Sequence, residues 1–208
     1  MVGWRMTHCI AVSGFKHTGK TTLVERLTEQ FTRRGRSVGV MKRDVHGFAA
    51  FADGRVDTGR HVRAGAAQTL IVGPDGHLGL EVAQVGRAEF TALLGWMGTV
   101  DVLLLEGFKG ARVSRVVLLG EADLRDGVYV APAFALEAWA RGELTAWAVP
   151  QPPLAVDAGL PVYLRDDAEG IADWMELAFQ QGAGRFDAAE LAAYALSGVQ
   201  TGNQPRSL

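Results

Sequence analysis

The sequence predicts an α/β protein: a mostly parallel β-sheet with helices on both faces, plus one β-hairpin. Three observations predict it. Short apolar runs alternate with segments of helical periodicity along most of the 208 residues. Residues 8–42 read as a strand, a helix and a second strand, a unit whose crossover is right-handed and whose strands are parallel. Pro74-Asp75-Gly76 separates two strand-like runs, which is a hairpin signal.

The elements follow in order. His8–Ser13 is a buried strand ending at a glycine. Thr21–Arg34 is a helix, because Leu23, Leu27 and Phe31 recur every fourth residue with Val24 beside them. Arg33 and Arg34 suit its C-terminus before Gly35. Ser37–Met41 is the second strand. Residues 43–65 show no periodicity and carry Asp44, His46, Asp53, Asp57, Arg60 and His61. A long loop of this kind inside a compact domain is usually functional or disordered. Gln68–Val72 and His77–Val82 form the hairpin, and Arg87–Trp96 a helix. Asp101–Leu105 is an apolar strand leading into Glu106-Gly107, and Arg115–Leu119 is another. Ala133–Arg141 reads as helical, Thr145–Val149 and Val162–Leu164 as extended, and Ile171–Phe179 as a helix with Ile171 and Met175 inward. Residues 1–182 are expected to form one nucleotide-binding domain. Residues 183–208 are expected to add a short amphipathic helix, Asp187–Leu196, and a disordered polar tail.

Composition bounds the function. The chain is 48% hydrophobic and 21% charged, with a formal net charge of −2 and a pI near 6.2. That balance argues against a nucleic-acid binder relying on bulk electrostatics. No apolar run reaches the ~18–20 residues needed to span a bilayer, and the stretch Cys9–Val12 is too short for a signal sequence. A single cysteine, Cys9, excludes an internal disulfide and a multi-cysteine zinc site. The expectation is a cytoplasmic protein without membrane or nucleic-acid partners. Of 21 basic residues only four are lysines, Lys16, Lys20, Lys42 and Lys109, and all lie in loops or at strand ends of the N-terminal half. They mark where a compact ammonium is preferred to a planar guanidinium.

Gly14-Phe15-Lys16-His17-Thr18-Gly19-Lys20-Thr21 fits G-x-x-x-x-G-K-[ST] without mismatch. Glycines permit the tight loop, backbone N–H groups face phosphate oxygens, the lysine bridges the outer phosphates and the threonine hydroxyl takes magnesium. The helix that follows adds partial positive charge. With a strand before and a helix after, the motif sharpens the fold class to the P-loop NTPase type and makes the cofactor a nucleotide with Mg2+. Gly14, His17, Thr18, Gly19, Lys20, Thr21 and Thr22 are the candidate nucleotide-binding residues.

P-loop proteins also place an acidic residue on a neighbouring strand, where it organises magnesium or water. Val102–Glu106 has that form, four apolar residues and then a carboxylate at the end where ligands collect in parallel sheets. Asp101 lies at the opposite end. Glu106 and Thr21 are therefore the candidate metal ligands, and Lys20 and Glu106 the candidate catalytic pair. Lys109 follows a glycine and is placed to return toward a bound anion. In the 43–65 loop, Asp57, Thr58, Arg60 and Arg63 are candidates for contacting a second substrate's phosphate or the magnesium water shell. The His and Asp residues there lack zinc-type spacing. The hairpin carries Leu70, Ile71, Val72, Leu78 and Leu80 on a probable free edge, which predicts pairing into a homodimer.

Together these residues resemble the molybdopterin-guanine dinucleotide biosynthesis protein B (MobB) family. The resemblance rests on the phosphate loop running into Thr21-Thr22-Leu23, the second strand ending in Lys42, and Asp57-Thr58 ahead of Arg60-His61. It rests further on Ala64-Gly65-Ala66, on Glu106-Gly107-Phe108-Lys109 and on Asp166-Asp167 before the last long helix. It spans roughly residues 8–180 and implies a homodimeric GTP-binding adaptor with at most weak GTPase activity. Such an adaptor assists a molybdopterin guanylyltransferase, with molybdopterin itself as a further candidate partner, in attaching GMP to form the guanine dinucleotide cofactor. The base does not follow from the residues, because no Asn-Lys-x-Asp motif is present; backbone groups of Ala146–Val149, or Asp166, are candidates to replace it.

Two alternatives share the phosphate loop. A small-molecule kinase needs a basic lid, for which Arg112 and Arg115 are the candidates, but they adjoin an apparent strand, which disfavours a mobile lid. A metal-insertion ATPase commonly places lysine directly after the first loop glycine, where this chain has Phe15.

Overall fold

The computed structural model describes residues 7–43, 60–61, 64–82, 85–143, 145–152, 156 and 160–197. Six strands make one parallel sheet: β1 (His8–Gly14), β2 (Val38–Lys42), β5 (Val102–Glu106), β6 (Arg115–Leu118), β9 (Thr145–Val149) and β10 (Val162–Leu164). Their order is β10-β9-β6-β1-β5-β2. β1 and β2 are parallel, as the β-α-β reading requires, but β5 lies between them and pairs with both.

Because the sheet is covered on both faces, its strands are apolar on both sides. Ile10 and Val12 of β1 face one way, with Val102 and Leu104, under α1 (Lys20–Arg33). That helix presents Leu23, Val24, Leu27 and Phe31 at the spacing of one helical face. Further along the chain, α2 (Arg87–Met97) and α3 (Ala133–Ala140) precede α4 (Ala168–Gln180) and α5 (Ala188–Ala195). Beside α1, α4 buries Ile171, Ala172, Met175 and Phe179 in the same layer. The Asp167 side chain caps α4 by accepting from the Gly170 N–H at 2.9 Å. Cys9, Ala11, Leu103 and Leu105 point to the opposite face, under α2 and α5, with Leu94, Phe108, Leu191 and Ala192. Asp187 caps α5 by accepting from the N–H groups of Ala189 and Glu190. Further out on that face, α3 covers Val117, Trp147 and Val149.

The expected hairpin is β3 (Gln68–Val72) with β4 (Leu78–Val82), antiparallel and separate from the main sheet. Leu70, Ile71, Val72, Leu78 and Leu80 are all exposed. A second hairpin, β7 (Leu124–Arg125) with β8 (Val128–Tyr129), was not predicted. It turns through Asp126 and Gly127, both at positive φ (48° and 82°), the backbone of a type I′ turn. Most of the 43–65 loop, with Asp57 and Thr58, and the tail from residue 198 lie outside the described residues. Among the described residues no helix is long and apolar enough to cross a membrane.

Candidate functional site

Every main-sheet strand runs the same way, so β1, β2, β5, β6, β9 and β10 all end at one edge. The phosphate loop begins there, as β1 gives way to α1. Gly14 must be a glycine because a Cβ on it would lie 2.6 Å from the Leu118 carbonyl oxygen and 2.8 Å from Thr18 Oγ1. Backbone cannot retreat from such a contact. His17 is exposed and sits in the left-handed region at φ 64°, which is uncommon away from glycine and marks the loop as a held conformation. Thr18 is buried and donates to the Phe15 carbonyl at 3.0 Å, and Lys20 Nζ donates to the same oxygen at 2.5 Å. Gly19 caps α1 at φ 90°, so the free N–H groups of the first turn open toward the loop.

The sheet register sets the acid. Val12 of β1 and Lys42 of β2 are both partners of Glu106. Glu106 is 7% exposed, and its Oε1 accepts from Thr21 Oγ1 at 2.8 Å and pairs with Lys42 Nζ at 3.0 Å. The structure thus brings the two candidate metal ligands, Thr21 and Glu106, into direct contact. Asp101, at the other end of β5, instead accepts from the N–H and hydroxyl of Ser37. The oxygen donors at the loop suit a hard divalent cation of the magnesium type.

Lys109 lies past Gly107, whose φ of 100° turns the chain back. Its ammonium stands over the ring of Phe15 at 4.4 Å and that of Phe134, from α3, at 5.1 Å. The two rings meet edge to face at 6.1 Å. Burial lowers the Lys109 pKa. Burial also lowers that of Lys20, helped by the neighbouring ammonium of Lys109 and, more weakly, Lys42, while Glu106 opposes the shift. Lys109 and Lys42 thus both stand near Lys20, with Glu106 beside them to pair Lys42, an arrangement that favours a polyanion. The fourth, Lys16, is exposed in the loop, as is Thr22 on α1.

Arg115 stands at the head of a strand, as expected. As part of a basic lid it would be mobile and solvated, but it is fully buried at the start of β6. Its guanidinium donates to the carbonyls of Lys109 and Ala111 and meets Glu143 at 2.9 Å. It fastens the loop that carries Lys109. Arg112 pairs with Glu190 of α5. These contacts remove the lid on which the kinase alternative depended.

Asp166 is engaged by Arg26 of α1 at 2.6 Å. The residue before it, Arg165, was missed by sequence reasoning although it follows β10 at the ligand-collecting edge. Its side chain lies against Gly19, and Nη1 approaches the Thr18 carbonyl at 3.4 Å.

Comparison with known proteins places this geometry. The family model for molybdopterin guanine dinucleotide synthesis protein B matches residues 9–136. A probable molybdopterin-guanine dinucleotide biosynthesis adapter protein of Bacillus subtilis is 31% identical over 161 residues, covering 76% of this chain and 86% of that protein. The corresponding adapter protein of Escherichia coli is 29% identical over 189 residues, covering 85% and 98%. The crystal structure of Bacillus subtilis MobB superposes with a TM-score of 0.57 at 27% identity, covering 84% of this chain and 97% of that one. With its phosphate loop, its acidic strand end and these relatives, the chain belongs to the molybdopterin guanine dinucleotide synthesis protein B family.

Proposed function

We propose that this chain is a GTP-binding adapter in molybdenum cofactor biosynthesis. It acts in the cytoplasm with a molybdopterin guanylyltransferase that makes molybdopterin guanine dinucleotide. The observation that carries the reading is the contact of Thr21 with Glu106 beside Lys20, Lys42 and Lys109 at the mouth of the phosphate loop. The names of the relatives supply the pathway and the adapter role.

In this reading the loop amides and Lys20 would hold the triphosphate, and Thr21 and Glu106 would hold Mg2+ with its water. Magnesium, when bound, neutralises phosphate charge. Lys109, held over Phe15 and Phe134, offsets charge that Lys20 does not cover, on the nucleotide or on a pterin phosphate. Hydrolysis by the chain alone is slow, because neither Arg112 nor Arg115 is free to reach the phosphates. Presentation of substrate to the transferase is the role. Asp57 and Thr58 are retained as candidate contacts to nucleotide or pterin.

The functional unit is a homodimer. Leu70 faces Leu80 and Val72 faces Leu78 across β3 and β4, all exposed, and an isolated two-strand ribbon is marginal in water. A second copy of the same ribbon is the self-complementary cover, the commonest symmetry among oligomers.

Nucleotide-induced melting shifts test the core of the proposal. With Mg2+ present, GTP at about 100 times its dissociation constant stabilises the native state by ~2.7 kcal/mol. Lys20→Ala should abolish the shift, and ATP at equal concentration should shift the melt less than GTP. An unchanged shift in Lys20→Ala would remove the phosphate-loop assignment; equal shifts with ATP and GTP would remove the guanine preference.

A further inference from the structure

The two sides of the phosphate loop differ. On the β5–β2 side of β1 stand Glu106, which touches Thr21, and Lys42, which pairs with Glu106. Across the sheet, past β6 and β9, β10 delivers Arg165 to the same edge. The Arg165 amide is fixed by the Val149 carbonyl at 2.7 Å, so the residue is anchored where two parallel strands end. Asp166 is held to α1 by Arg26, and Arg26 lies four residues after Thr22, on the same helical stripe. The 165–167 turn therefore flanks the Thr22 side of α1, whereas Glu106 flanks the Thr21 side.

This gives the site a direction. Magnesium and the outer phosphates belong with Thr21 and Glu106, so the nucleoside leaves toward Thr22 and the turn after β10. We propose that Arg165 receives the nucleotide's purine ring there, with its guanidinium plane stacked on the base. The inference rests on the phosphate-loop reading above and adds the residue that distinguishes a nucleoside triphosphate from bare polyphosphate.

The surroundings of Arg165 suit that role. Its Cδ would lie 3.0 Å from a Cβ at position 19, so Gly19 leaves room for the stem to lie flat against the loop. The guanidinium is tethered by the Thr18 carbonyl at 3.4 Å and stands 4.0 Å from the Asp166 carboxylate. Asp166 is bound more tightly to Arg26, so the Arg165 guanidinium is not locked to that carboxylate and its plane can serve a base. The Arg165 side chain is 32% exposed, so part of it is open to a ligand. Arginine planes stack on aromatic faces, and lysine does not reproduce that geometry.

Calorimetry with two probes, Mg–GTP and Mg–tripolyphosphate, tests it. Wild type is expected to bind both, GTP more tightly, and Lys20→Ala to weaken both. Arg165→Ala and Arg165→Lys should each weaken GTP about tenfold, equivalent to ~1.4 kcal/mol. Tripolyphosphate affinity should stay within about twofold of wild type in both variants, because no base is present to stack. Unchanged GTP binding in Arg165→Ala, equal loss of both probes, or full recovery in Arg165→Lys would each overturn the assignment. The phosphate-loop reading would survive any of these three. A wild-type protein that binds neither probe would overturn both.

Discussion

Thr21 Oγ1 donates to Glu106 Oε1 at 2.8 Å, joining the first turn of α1 to the end of β5 across 85 residues of sequence. The same carboxylate oxygen takes Lys42 Nζ at 3.0 Å. One atom thus registers the phosphate loop, the acidic strand and the edge strand, and a change there should alter metal dependence before it alters fold.

Glu106→Gln keeps the shape but removes the charge that faces Lys42 and, under the proposed function, the magnesium shell. Nucleotide affinity without magnesium should be nearly unchanged, and the gain on adding magnesium should shrink by roughly tenfold, on the order of 1.4 kcal/mol. Titration of GTP with and without magnesium reads both quantities. A full magnesium effect in the variant would place the metal elsewhere.

Gly14→Ala should cost more than its size. The added methyl would sit 2.6 Å from the Leu118 carbonyl, which is locked in the β6 ladder beside β1. Overpacking of this kind costs ~1–3 kcal/mol, and nucleotide binding should be lost with it. A thermal melt with and without GTP checks both; wild-type behaviour would mean that the loop relaxes more freely than its contacts imply.

The lysine cluster predicts a pH dependence. Burial and mutual repulsion lower the pKa of Lys20, and burial lowers that of Lys109, from the ordinary 10.5. In the window just below that value the folded protein binds fewer protons than the unfolded chain, so its stability without ligand rises with pH there. A bound polyphosphate favours the charged ammonium and raises both pKa values again. GTP binding should therefore take up protons, and its affinity should fall as pH climbs through this window. Calorimetry in buffers of different ionisation enthalpy measures the uptake; proton release would contradict the cluster.

Leu70→Asp with Val72→Asp should convert a dimer into a monomer by placing charges on the exposed ribbon of β3. Light scattering at micromolar concentration decides it. A wild-type monomer would refute the dimer, and a variant that stays dimeric would move the contact away from the ribbon.

Much of this was legible because the strands are buried on both faces and therefore read as continuous apolar runs, as in Val102–Leu105. The phosphate loop and Glu106 were legible because local spacing enforces their chemistry. β7 and β8 were not, although Asp126-Gly127 is a recognised turn pair, because two-residue ladders leave no periodicity to detect. Arg115 was legible as a strand start unsuited to a mobile lid, but its complete burial was not, because a buried arginine at the start of β6 looks in sequence like any charged strand end. Arg165 has no motif at all. Only the order of the strands carries it to Gly19, and strand order is a long-range property.

That order also dictates when the loop can exist during synthesis. β1 has no ladder with β2; both of its neighbours, β5 and β6, come from residues 102–118. A nascent chain that has emerged only through α1 and β2 therefore holds the whole phosphate-binding motif with no hydrogen-bonded neighbour for its strand. Gly14 acquires its close packing on Leu118 only after β6 has left the ribosome. Such non-local pairing is slow. The motif that is read first in the sequence thus becomes rigid only once the middle of the chain is made, and a polypeptide interrupted before residue 118 carries the complete signature without both flanking strands to support it.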